Sequence, residues 1–135
     1  MNDRPTTTEL LAAVEHFLEQ TAVPALEGPA RYHARVAANV VRIVARELAT
    51  EDQHRAREWQ GLAELLGTDP AAPEGGRSAW SDALRARNEA LTRRIRAGDA
   101  DAGPWRTAVL AHLSRVVADK LDVAQPPRPA RDERR

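Results

Sequence analysis

Apolar residues recur at three- and four-residue intervals through most of the chain and nowhere alternate one by one. A polypeptide patterned this way buries its apolar side chains as packed helices, not as a sheet. The spacing predicts an all-α protein, a compact single-domain bundle of about five helices. Thr6 and Glu9 have the spacing of a capping box, so the first helix starts there. Its face is Leu10, Leu11, Val14, Phe17 and Leu18, and Val23-Pro24 disturbs or ends it. Gly28-Pro29 opens a second helix over about residues 30–49. Thr50 and Gln53 suggest another box, with a third helix running to Gly67. Pro70, Pro73, Gly75 and Gly76 mark a loop. The fourth helix starts near Ser78 and stops at Gly98. The fifth opens at Pro104 and carries Trp105, Val109, Leu110, Leu113, Val116, Val117 and Leu121. Residues 1–123 form the expected bundle, and 124–135 a disordered Pro/Arg-rich tail.

The 135 residues suffice to bury roughly two thirds of the unfolded surface, so the fold needs no staple. The absence of cysteine excludes disulfides, thiolate nucleophiles and Cys-ligated metals. Twenty basic and twenty acidic residues cancel, which argues against a dedicated nucleic-acid binder. No apolar run approaches the ~18 residues of a membrane span, and Met1 to Thr8 lack a signal-peptide core. A cytoplasmic protein with no membrane or nucleic-acid partner is expected, and a homo-oligomer is compatible with the pattern.

Known catalytic spacings are missing. There is no Gly-rich phosphate loop, no His-Glu-x-x-His, no Gly-x-Ser-x-Gly and no calcium loop. His16, His33, His54 and His112 fall on separate segments without ligand spacing, so no metal, cofactor or catalytic residue is expected. The informative residues are polar ones within apolar faces. With Tyr32 at zero and roughly 100° per residue, Asn39 and Glu47 fall among Val36, Val40 and Ile43. Lys120 falls between Val109 and Leu113 on the wheel of the last helix, and His33 borders the Tyr32 face. Buried charges need partners, which suggests a Glu47–Lys120 pair completed by Asn39 or His33. Such a cluster either fixes helix register or lines a pocket or partner surface. Arg31, Arg35, Arg42 and Arg46 lie on the opposite side of the second helix. Arg85, Arg93 and Arg96 share one face of the fourth, either a solvated face or a site for a phosphate-bearing ligand or acidic partner.

An ordered series of short segments resembles a bacterial family known as domain of unknown function 6285. It comprises Arg4-Pro5-Thr6 with Glu9-Leu10-Leu11, Val23-Pro24-Ala25-Leu26-Glu27-Gly28, and His33-Ala34-Arg35-Val36-Ala37-Ala38-Asn39. It continues through Arg46-Glu47-Leu48, Leu65-Leu66-Gly67, Asn88 with Leu91, Ile95-Arg96-Ala97-Gly98 and Lys120-Leu121. The chain departs from the family at Gln125-Pro126-Pro127, where an Asn-Pro-aromatic element is usual, and at Arg87, where an apolar residue is usual. Members are typically encoded beside kinases of the aminoglycoside-phosphotransferase type and acyl-CoA dehydrogenases. The resemblance implies a non-catalytic accessory subunit of such a kinase in hydroxyacyl-CoA breakdown. Arg35, Arg42 and Arg46 are then candidates for the polar rim of its interface. The alternatives are a stand-alone module binding acyl-CoA or another phosphate-bearing ligand, and, more remotely, an enzyme using Glu47 and Lys120. A companion subunit exposes an apolar face that its own chain does not cover; a ligand binder holds a cavity with convergent polar groups.

Overall fold

The computed structural model describes residues 4–125, so the expected tail beyond 125 lies outside the described residues. The protein is all-α, with no strand among the described residues. Among the described residues it has four helices longer than two turns, against the five expected: α1 (Thr7–Phe17), α2 (Gly28–Leu66), α3 (Arg77–Arg96) and α4 (Gly103–Ala124). Chain packing divides into two units, Met1–Asp52 with Val123–Arg135, and Gln53–Asp122.

The Thr6 hydroxyl accepts from the Glu9 amide at 3.2 Å, and the Glu9 carboxylate accepts from the Thr6 amide at 2.7 Å. This is the predicted capping box. Beyond Phe17 the chain stays helical through a π turn, Leu18–Ala22, and a last turn, Val23–Ala25. Pro24 has no N–H to give to the preceding turn, and its ring crowds that turn's carbonyl. Widening it, so that the Val23 amide reaches Leu18, accommodates the proline without breaking the rod.

The second and third expected helices are one element of 39 residues, α2. The Thr50 hydroxyl does not cap a new helix; it donates back to the Arg46 carbonyl at 2.9 Å. No glycine or proline occurs between Ala30 and Gln60, so nothing in the backbone stops the helix there. It stops at Gly67, where φ is +65° and the Thr68 amide returns to the Ala63 carbonyl at 3.1 Å.

In the second unit α2, α3 and α4 enclose the core. Leu62, Leu65, Leu91 and Val109 are buried, with Leu66, Leu84, Ile95 and Trp105 packed around them. Each buried leucine contributes about 1.5–3 kcal/mol. Two donors close the end of α2: Arg94 Nη1 and Trp105 Nε1 each reach the Leu65 carbonyl at 3.0 Å. Arg87 covers the Trp59 ring at 3.2 Å from its centroid and donates to the Trp59 and Asp69 carbonyls, which ties the loop after Gly67 to α3. The guanidinium plane thereby fills an apolar role against the indole.

Candidate interaction surface

In the first unit the N-terminal part of α2 buries small side chains and is tied to α1 and the turn after it by ion pairs. Ala34 and Ala38 are buried. Beside them Arg42 reaches Glu19 at 2.7 Å and Glu15 at 3.7 Å. Arg46 donates from Nε to the Val123 carbonyl at 2.7 Å. Two of the arginines expected on a partner rim, Arg42 and Arg46, are thus engaged within the chain. Arg35 stays exposed and lines, with Glu19, Gln20, Val23, Ala38 and Arg42, an open groove of about 430 Å³. Glu19 sets a carboxylate beside these two cations, so the groove is not a purely cationic anion site.

Packing on alanines leaves the larger apolar residues of α2 uncovered. By the 100° step, Ala34 and Ala38 lie roughly opposite the face centred on Val40. Tyr32 is 65% exposed, Val36 42%, Val40 50%, Val44 39% and Leu48 38%. Asn39, Glu47 and His33, expected in a buried cluster, are exposed with them. Lys120, on α4 in the second unit, is exposed as well. The wheel grouped the α2 residues correctly, but the face they share is bare, so no buried charge needs compensation. The α1 face expected in the core is similarly open at Leu10, Val14 and Phe17.

In the second unit α4 turns Val109 and His112 inward and leaves Leu110, Leu113, Val117 and Leu121 on one outer stripe, 53%, 39%, 54% and 53% exposed. These four leave roughly 350 Å² of apolar surface open, within the range of the largest patch on a typical monomer, which is often functional. His112 itself is 2% exposed, and its Nε2 has no hydrogen-bond partner. Burial pulls its pKa below the usual imidazole value, against the opposing pull of Glu58 and Glu64; Arg115 adds to the lowering. The ring fits only because the facing residue is Gly61, where an added Cβ would stand 2.9 Å from Cε1 and closer still to Nδ1. Sequence reading missed this pair; the signal was a lone glycine inside a long helical pattern.

On α3 the three expected anion ligands do not converge into a built site. Arg85 pairs with Asp82 at 2.7 Å, one turn away. Arg93 and Arg96 are exposed in the last turn, the carbonyl end, where cations suit the helix dipole and anions do not. Asp119 instead pairs with Arg57 at 2.6 Å and has His54 at 3.8 Å, a polar cluster with no spacing in the sequence to announce it. Among the described residues no helix is long and apolar enough to cross a membrane.

No curated protein and no solved structure matches the chain significantly. The profile of one family, described as Domain of unknown function (DUF6285), matches residues 24–127. Covering α2, α3 and α4 and so well over half of the sequence, that match makes the chain a member of the DUF6285 family.

Proposed function

We propose that this protein is a non-catalytic accessory subunit that binds a kinase of the aminoglycoside-phosphotransferase type acting in hydroxyacyl-CoA breakdown. The observation that supports a binding role is the continuous apolar outer stripe of α4, Leu110, Leu113, Val117 and Leu121, a patch of the size that is often functional. The class of partner comes from the family resemblance. A cytoplasmic location accords with both. The test is size-exclusion chromatography of the chain with a kinase of the aminoglycoside-phosphotransferase type from the same genome, with and without an acyl-CoA substrate. Co-elution at micromolar concentration, abolished by Val117→Asp, supports the proposal. Separate elution, with a kinase fully active alone, overturns it.

A second reading rests on the open groove at Arg35 in the first unit: a stand-alone module taking a CoA ester or another phosphate-bearing ligand. Calorimetry of the chain alone with an acyl-CoA decides it. Saturable binding lost in Arg35→Ala favours this reading, and no heat of binding removes it.

A further inference from the structure

We propose that the bare face of α2 in the first unit is covered by the same face of a second copy, the two helices lying antiparallel about a two-fold axis at Val40. The inference is independent of the kinase reading, which rests on α4.

The sequence of that face is self-complementary in one register. An antiparallel pair centred on Val40 brings residues whose numbers sum to twice forty to the same level. Val40 then meets its own copy. Val36 lies level with Val44, and Tyr32 level with Leu48, so apolar residues meet apolar residues on both sides of the axis. His33 lies level with Glu47, placing an imidazole that can donate a hydrogen bond beside a carboxylate at each end of the seam. A shift of the axis by two residues, or a parallel pairing, still sets apolar residues level with apolar residues but loses the His33–Glu47 match, which is what singles out this register. The two-fold axis also makes one good contact count twice, as in any isologous interface.

Area supports the same occupant. The uncovered fractions of Tyr32, Val36, Val40, Val44 and Leu48 leave roughly 400 Å² of apolar surface per copy. Two copies bring together roughly 800 Å² from these side chains, and His33, Asn39, Ile43 and Glu47 carry the total towards the ~1,200 Å² at which specific interfaces begin. An interface at the lower edge of the specific size range, with Asn39 and Glu47 in it, is of the reversible kind, so association is sought at micromolar and higher concentrations. The face spans about 24 Å of helix, from Tyr32 to Leu48. Its small-residue back, Ala34 and Ala38, is already buried, so the face is presented without rearrangement.

The experiment is sedimentation velocity of the full chain across the micromolar range, with variants on the face. The wild type shifts from monomer to dimer with concentration. Val40→Arg stays monomeric with unchanged helical circular dichroism, because Val40 is half exposed and carries no core. His33→Glu and Glu47→Lys each weaken self-association at least tenfold, whereas an equimolar mixture of the two dimerises, because each copy then supplies the charge its partner lacks. The chain has no cysteine of its own, so Val40→Cys adds a single thiol. Mild oxidation should convert it to a covalent dimer, and should leave Ala49→Cys, on the other side of the helix, monomeric. A wild type that stays monomeric at tens of micromolar overturns the proposal. So does a dimer that Val40→Arg leaves intact, or a mixture of the charge variants that associates no better than either alone.

Discussion

Replacing Gly61 by alanine should destabilise the fold although alanine is the better helix former. On helix propensity alone the change gains about 1 kcal/mol. The added methyl, however, enters the ring of His112, 2.9 Å from Cε1 and nearer to Nδ1. That ring is 2% exposed and cannot swing into solvent. Either it leaves its rotamer or α2 and α4 separate locally, and overpacking of this kind costs about 1–3 kcal/mol. With a methyl this far inside contact distance, the upper end of that range applies, and the net loss is about 1–2 kcal/mol. Urea unfolding followed by circular dichroism reads it as a lower midpoint at unchanged m-value. The decisive measurement is Gly61→Ala made in the His112→Ala background, where the obstacle is gone. There the substitution should keep its propensity advantage and stabilise the protein, a swing of roughly 2–3 kcal/mol between backgrounds. An equal effect in both backgrounds, or a stabilised Gly61→Ala in the wild type, refutes the close approach of the two helices.

Three further outcomes follow from the contacts. His112 is held neutral in the fold, its pKa depressed chiefly by burial, so its contribution to stability is complete above the usual imidazole pKa and is lost as pH falls below it; denaturant midpoints should decline from neutral pH towards pH ~5, and His112→Gln should flatten that decline. Arg42→Ala removes the pair to Glu19 and Glu15, both partly solvated, and should cost no more than about 1 kcal/mol, shrinking further in high salt. Leu62→Ala opens a cavity at the centre of the second unit and should cost about 2–5 kcal/mol in the same assay.

Much of the secondary structure was legible because it is decided locally. Thr6 with Glu9, Gly28 before Pro29, Gly67, and Gly103 before Pro104 each determine their turn through backbone chemistry within a few residues. The join at Thr50 was not legible. A threonine three residues before a glutamine reads as a cap, and only the choice of its hydroxyl to bond the Arg46 carbonyl shows that the helix continues. Faces were legible and their burial was not. A helical wheel says that Val36, Asn39, Val40 and Glu47 share a side; it does not say which side a neighbouring helix takes. In the first unit the buried side is that of Ala34 and Ala38, and the larger residues are left open. The same error placed Leu110, Leu113, Val117 and Leu121 in the core. The Gly61–His112 contact depends on which helices meet, and spacing in one helix carries no trace of that.

The polar residues that break the apolar faces hold the more general lesson. Asn39 and Glu47 stand where a core would exclude them, because an unpaired carboxylate in a dry interior costs several kcal/mol. On a surface that alternates between water and a partner the same residues are tolerated. Water satisfies them in the free chain, and a hydrogen-bonding partner can satisfy them in the complex. Reversible interfaces are for this reason about as polar as the rest of a protein surface, whereas cores are not. An apolar helix face interrupted by an amide and a carboxylate is therefore better read as an interface than as a core with a salt bridge inside it. On α2 the exposures of Tyr32, Val36 and Val40 support that reading.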